Sequence, residues 1–435
     1  MPSKELKKNY KIVVDNFGKQ IKIPEDWSLL NLGKFAHEVK KKNSENKKLP
    51  VLSITKYDGF VDSLKYFKKR VFSKSLSNYK IVEKGYFAYS PIHLDEGSIA
   101  LLMEFQEGIV SPMYTIFKTD EKIDPKFLLL LMKTELYIQK YSFLGQGSIK
   151  RRTAVTFERL SRLSIHIPPI SQQQEIVKIL TNVENNIILS EKIISHLEKL
   201  NQGMLEKLLI NGIGNKKFKN IGWYDSTEIK IPETWRLFKL KQLIYDVVGG
   251  TPLKPKDFAN EGIPVLHKGD IKPDNVIEIG TTNPFCTREF AKKYKKHIID
   301  NTYTVVTLRD LDPEGPAIGL MANCNDEYLL AQGAYGFHVD AKLIDSNFLV
   351  LISNSAFYRK YVQKFSVGAT QIHIRTPIFL NLEFWIPPLN EQKNISLIMS
   401  GINSRVKHEK NRYSKLKLLK CAIQSRLVMG EITLD

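Results

Sequence analysis

The sequence predicts an α+β protein built twice: two domains of mixed α/β structure joined by two long antiparallel coiled-coil helices, with a pseudo-two-fold internal repeat. Three observations predict it. Ile21-Lys22-Ile23-Pro24-Glu25-Asp26-Trp27 returns as Ile229-Lys230-Ile231-Pro232-Glu233-Thr234-Trp235, six of seven residues identical, 208 positions later. Ile167-Pro168-Pro169-Ile170 returns as Ile386-Pro387-Pro388-Leu389, 219 positions later. Each of these second markers opens a long segment with apolar residues at alternating steps of four and three. The two offsets differ, so insertions lie between the markers. Each half reads as constant start, variable middle and constant end.

The first variable domain occupies residues 1–166. Within it, residues 50–55 and 86–90 alternate like strands, and residues 127–141 carry a helical pattern. The first long helix follows in 167–213. Pro168-Pro169 forbids helix upstream, Ser171 with Gln174 reads as a capping box, and Asn211-Gly212 reads as a stop. Its seam is Ile176, Leu180, Val183, Ile187, Ile194, Leu197, Met204 and Leu208, interrupted by Ser190 and Asn201. The second variable domain is 214–385, with strand patterns at 263–266 and 303–308 and a helix pattern over 346–365.

The second long helix lies in 386–435, with Asn390 as its N-cap and a stop near Met429-Gly430. Its seam is Ile395, Met399, Ile402, Val406, Tyr413, Leu416, Ile423 and Leu427, interrupted at the same heptad positions by Glu409 and Lys420. Polar residues in such a seam lower stability and fix register. Each helix runs for about 38–40 residues, or about 57–60 Å. The second domain lies between the end of one helix and the start of the next, so the simplest closure pairs them antiparallel with one domain at each end. A partner docking on one half then finds an equivalent surface on the other.

At 435 residues the chain exceeds a single core and suits two domains. No apolar run approaches a membrane span, and the first ten residues lack the apolar core of a signal peptide. Cys286, Cys324 and Cys421 show no paired spacing, so neither a disulfide framework nor a zinc site is indicated. A cytoplasmic location with no membrane partner is the expectation. The net charge of +19, from 65 basic and 46 acidic residues, favours a polyanionic partner.

Basic and polar clusters sit in the predicted loops. The first domain has Lys40, Lys41 and Lys42, then Lys68, Lys69 and Arg70, then Lys150, Arg151 and Arg152. The second has Lys254 and Lys256, then Lys292, Lys293, Lys295 and Lys296, then Gln371, His373 and Arg375. Arg and Lys suit guanine and phosphate, and Gln suits adenine, so these are candidate DNA contacts. No phosphate-cradling Gly-x4-Gly-Lys-Ser/Thr loop is present. Asn283-Pro284-Phe285 has one proline where the base-holding tetrad of amino-methyltransferases needs two, and reads as a turn. No catalytic or metal-ligating set stands out.

Those residues resemble one family over essentially the full length: the DNA specificity (S) subunit of type I restriction-modification systems. Four matches carry the resemblance. Ile-Pro-Glu-x-Trp opens each variable domain at Ile23–Trp27 and Ile231–Trp235. Gly249-Gly250-Thr251-Pro252 followed by Gly262-Ile263-Pro264-Val265-Leu266 and Lys268-Gly269-Asp270 resembles a recognition-domain opening, which adds Lys268 to the DNA-binding candidates. Gly368-Ala369-Thr370-Gln371 matches Gly-x-Thr-Gln before the boundary, and Gly145-Gln146-Gly147-Ser148 matches it less well. Pro-Pro-x-x-x-Gln-Gln/Glu-Gln-x-Ile opens each conserved helix.

The resemblance implies a chain that is not itself an enzyme. Two target-recognition domains each read one half of a split, asymmetric double-stranded DNA target, and the helices set the unspecified gap. It implies no cofactor on this chain. Two methyltransferase subunits using S-adenosylmethionine would dock on it, and motor-nuclease subunits using ATP and Mg2+ would join for cleavage. Rival classes are an orphan adaptor or repressor without a nuclease partner, a cryptic nuclease, and a coiled-coil scaffold unrelated to DNA.

Overall fold

The computed structural model describes residues 9–144, 154–223, 228–282, 284–310, 317–368 and 371–432. The chain divides into two compact units, Met1–Ser190 with Arg412–Asp435, and Glu191–Asn411. Each long helix therefore contributes its two ends to different units.

The first unit opens with an antiparallel hairpin, Tyr10–Val14 against Gln20–Pro24. Asp15 shapes its turn by accepting from the backbone N–H groups of Phe17 and Lys19, and Gly18 supplies the positive φ of 76°. Strand Ser28–Asn31 pairs with Ser164–Ile167, the last strand before the long helix. Between them lies a four-stranded antiparallel sheet in the order Ala36–Val39, Thr115–Thr119, Phe87–Tyr89, Ile99–Leu101. Its core stacks Phe87 on Phe117 and buries Trp27, Phe127, Tyr137 and Tyr141. Ile176 and Leu180 from the start of the first long helix, and Leu427 and Val428 from the end of the second, complete that cluster.

The second unit repeats the frame around a different middle. Hairpin Phe218–Gly222 with Glu228–Pro232 leads into strand Arg236–Lys239, which pairs with Glu383–Ile386. The main sheet runs Ile244–Gly249, Ala334–Val339, Thr304–Thr307, Met321–Asn323, all antiparallel. A smaller sheet adds one parallel pairing, Ile263–Leu266 beside Tyr328–Leu330. Trp235, Phe337, Phe348 and Tyr358 are buried with Leu205, Leu208 and Leu209 from the end of the first long helix and Ile395 and Met399 from the start of the second.

The long helices span Ile170–Asn211 (42 residues) and Leu389–Val428 (40 residues). Their starts differ from the capping expectation, because helix begins at Ile170 and Leu389, before Ser171 and Asn390. A buried glutamine does the local work instead. Gln173 Nε2 donates to Pro168 O at 2.9 Å, while its Oε1 accepts from Asp124 N at 2.7 Å. Gln392 repeats both bonds, to Pro387 O at 2.9 Å and from Asp345 N at 2.8 Å. Asp124 and Asp345 are themselves N-caps, of helices Pro125–Met132 and Ser346–Asn354.

The tryptophan of each constant start seals the frame. Trp27 Nε1 donates to Gln172 Oε1, and Trp235 Nε1 donates to Glu391 Oε2, each at 3.0 Å. The glycine that ends the opposite helix lies beside the ring. A Cβ at Gly430 would stand 3.3 Å from Trp27, and one at Gly212 would stand 2.9 Å from Trp235. Within each unit the start of one long helix and the end of the other therefore meet at the Ile-Pro-Glu-x-Trp motif and run antiparallel there. Lys420 pairs with Glu184 in the first unit and Lys410 with Glu198 in the second, both at 2.6 Å. Every seam position named above, in both helices, is buried or half-buried, with Ser190 and Glu409 among the buried ones.

Two single helices expected from the sequence are each broken in two. Residues 127–141 fall into Pro125–Met132 and Glu135–Leu144. Between them the Thr134 hydroxyl donates back to Leu131 O, and Tyr141 takes up Met132 O. Residues 346–365 fall into Ser346–Asn354 and Ala356–Phe365. Ser355, fully buried, ends the first by donating to Ile352 O and caps the second by accepting from Tyr358 N.

Candidate nucleic-acid interface

In the second unit the fold gathers residues that are far apart in sequence. Strand Thr304–Thr307 is buried along its length and runs on through Leu308 to Arg309-Asp310, which pairs antiparallel with Ile372-His373. Arg309 stands opposite His373. Val367 and His373 exchange both backbone hydrogen bonds at 2.9 Å. Gly368, next to that pair, has a φ of 125°, and a Cβ there would overlap Gln371 O at 2.0 Å. The two ends of the Gly-x-Thr-Gln motif, Gly368 and Gln371, thus lie against each other beside this ladder. Gln371 and Arg375 are exposed and His373 is half-buried; Ala369 and Thr370 lie outside the described residues.

Lys268 joins this cluster. Its backbone carbonyl accepts from the Thr307 hydroxyl at 2.8 Å. Gly333, at φ 99°, lies between Lys268 and Arg309, and a Cβ there would stand 3.1 Å from Arg309 Cβ and 3.4 Å from Lys268 Cδ. Burial, then the neighbouring Arg309 charge, holds the Lys268 ammonium below its usual pKa, against the opposite pull of Asp310. The buried Asp270 shapes the Lys-Gly-Asp turn by accepting from His267 N at 2.8 Å and Gly280 N at 3.3 Å.

The other lysine candidates of this unit are exposed. Lys292 and Lys293 end helix Arg288–Lys293, and Lys295 and Lys296 fall in the turn after it. Beside them an open groove of about 640 Å3 is lined by Arg288, Lys292 and Lys295 with Ile263, Ile298 and Ile299. Lys254 and Lys256 are exposed around a single short turn.

In the first unit Lys40 and Lys41 meet Glu38 at 3.1 Å and Glu83 at 2.9 Å, so part of their charge is answered internally. Lys42 pairs by backbone with Lys80, which stands alone in the sequence and is recognisable only through that pairing. Burial, then the Lys40 and Lys42 charges, hold the Lys80 ammonium below its usual pKa against Glu38. Lys68, Lys69 and Arg70 follow a one-turn helix, with Arg70 donating to Phe72 O and Ser73 O. Tyr57, Tyr66 and Phe67 are exposed in the same stretch. Aromatics next to cations are a nucleic-acid signal, but sequence reasoning misses these three because Tyr57 lies in the turn between strands Leu52–Thr55 and Gly59–Asp62, and Tyr66 and Phe67 lie on a helix too short to show a period. Lys150, Arg151 and Arg152 lie outside the described residues.

Among the described residues, no group of three or more His, Cys, Asp or Glu side chains could hold a metal ion, and no helix is long and apolar enough to cross a membrane.

Comparison with known proteins gives one answer. Residues 24–199 and 232–418 both match the family described as type I restriction modification DNA specificity domain. The chain is 26% identical over 429 residues to the type I restriction enzyme MjaVIII specificity subunit of Methanocaldococcus jannaschii, covering 95% of this chain and 94% of that one. It is 23% identical over 432 residues to the putative MjaX specificity subunit of the same organism, covering 94% of each. Among solved structures it is similar to the HsdS subunit from Thermoanaerobacter tengcongensis, with a TM-score of 0.51 and 17% identity over 94% of this chain and 98% of that one. It is also similar to a chain from a structural study of complex assembly in the type I R-M system, with a TM-score of 0.56 and 16% identity over 94% of this chain and 99% of that one. These likenesses show the fold. A frame repeated around two unlike cationic middles, matched by that family in both halves, makes this chain a member of the type I restriction-modification DNA specificity family and the specificity subunit of such a system.

Proposed function

We propose that this chain is the non-catalytic reader of a two-part, asymmetric double-stranded DNA target. The observation that carries the reading is the repetition itself: two recognition domains held by the same tryptophan, glutamine and glycine contacts, with different surfaces between them. Unlike surfaces in like frames call for two different half-sites in one continuous site. The long helices fix the unspecified gap, pairing through their a/d residues as an antiparallel coiled coil. Helices of 42 and 40 residues are about 63 and 60 Å long, between one and two turns of B-DNA.

Methyltransferase subunits dock as a pair, one on each half, because the halves share their constant surfaces. Apolar side chains exposed on the long helices support this, including Ile188, Leu189 and Leu200 on the first and Leu397, Ile398, Leu418 and Leu419 on the second. S-adenosylmethionine belongs to those subunits, and ATP and Mg2+ to motor-nuclease subunits that join them. The exposed lysine clusters serve the phosphate backbone, and the system works in the cytoplasm. Co-expression with the cognate methyltransferase, followed by mapping of N6-methyladenine across the host genome, tests the reading. A split motif with two unlike halves and a fixed gap is the expected result. A stable complex that adds no methylation would overturn it.

A further inference from the structure

We propose that Arg309 reads a guanine in the half-site bound by the second domain. The inference rests on the function proposed above and assigns one residue to one base. Arg309 is half-buried on a two-residue ladder, between Leu308 and the partner-strand neighbour Ile374, which are 2% and 3% exposed. Leu308 N donates to Gly333 O at 3.0 Å and Ile374 N donates to Leu308 O at 3.1 Å. The backbone around Arg309 is therefore tied on both sides.

The neighbourhood is arranged for an acceptor. Gly333 leaves room where a side chain would press on the stems of Arg309 and Lys268. Two cations brought together and partly withdrawn from water repel each other and lose hydration, an arrangement that an electron-rich partner relieves. The adjacent Asp310 carboxylate accepts from Ala317 N and offsets part of that repulsion. The choice of base over phosphate follows from the rigidity. Exposed lysines on loops suit phosphate, where register is loose. From that tied backbone the planar guanidinium fork matches the O6 and N7 acceptors of guanine with two donors, where a lysine ammonium offers a point charge.

The test compares complexes with the methyltransferase carrying wild-type chain, Arg309→Lys and Arg309→Gln. Wild type should methylate a two-part motif with a guanine in the second half. Both variants should keep the first half-site and the gap, and lose discrimination at that one guanine by about 10- to 100-fold. A second measurement changes the DNA: replacing that guanine by 7-deazaguanine removes N7 and should weaken wild-type binding by about 10-fold, while leaving the Arg309→Gln complex nearly unchanged. Variants with an unaltered second half-site, or with uniform weakening on every sequence, would overturn the assignment and leave the function standing. A wild-type complex with no split motif would overturn the function itself.

Discussion

Glu391 accepts three hydrogen bonds at once, from Trp235 Nε1, Ile213 N and Asn215 Nδ2, which tie the start of the second long helix to the end of the first and to the Ile-Pro-Glu-x-Trp motif. Glu391→Ala leaves the buried indole donor unpaired and is expected to lower stability by about 1–3 kcal/mol, read as a shift in denaturant midpoint at constant slope. Gly368→Ala is expected to act locally, because a Cβ overlaps Gln371 O and the φ of 125° is closed to alanine. Methylation should then lose specificity in the second half-site alone. His166 behaves differently. Burial first, then the Lys140 charge, lowers its pKa from 6.5 to about 4, so it is neutral in the folded chain. The unfolded chain protonates first as pH falls. Stability is therefore complete above pH 6.5 and declines between 6.5 and 4, by on the order of 3 kcal/mol. Thermal denaturation across that window should be flatter for His166→Phe than for wild type.

The constant elements are legible in the sequence because they occur twice: repetition alone marks Trp27, Trp235 and both Pro-Pro boundaries. The long helices are legible through the four-three spacing that places Ile176, Leu180, Ile395 and Met399 on one face. Their first turns are not, because Ser171 and Asn390 satisfy a local capping rule while Gln173 and Gln392 act through bonds to residues about 50 positions away. The helices at 125–144 and 346–365 break for a similar reason: Thr134 and Ser355 pass as ordinary helical polar residues until their hydroxyls are seen to take the Leu131 and Ile352 carbonyls. Arg309 carries no signal in one dimension, since its ladder with His373 joins strands more than 60 residues apart. At this scale Gln392→Ala is expected to destabilise the second unit more than Asn390→Ala. Hydrogen exchange in helix 346–354 should report it, because the glutamine bonds directly to that helix's capping residue.

For the whole molecule, the net charge of +19 predicts steep salt dependence, with DNA affinity falling by orders of magnitude between about 50 and 200 mM salt as condensed counterions are displaced. Filter binding or anisotropy across that range checks it, and a flat response would remove the phosphate role from the lysine clusters. Deleting seven residues from each long helix is expected to change the permitted gap and leave both half-sites intact; methylation mapping would sink the idea if the gap stayed the same. The glutamine contacts carry a further implication. What Gln173 and Gln392 bond in their domains is backbone alone, the N–H of Asp124 or Asp345 and the carbonyl of Lys122 or Leu343, and every residue except proline offers both groups. A genetic crossover with one breakpoint at the Ile-Pro-Glu-x-Trp codons and the other at Ile-Pro-Pro would bring in a foreign middle and still find its anchors. A lineage carrying such a gene can inherit a new target in a single recombination event, without waiting for a compensating mutation in the frame.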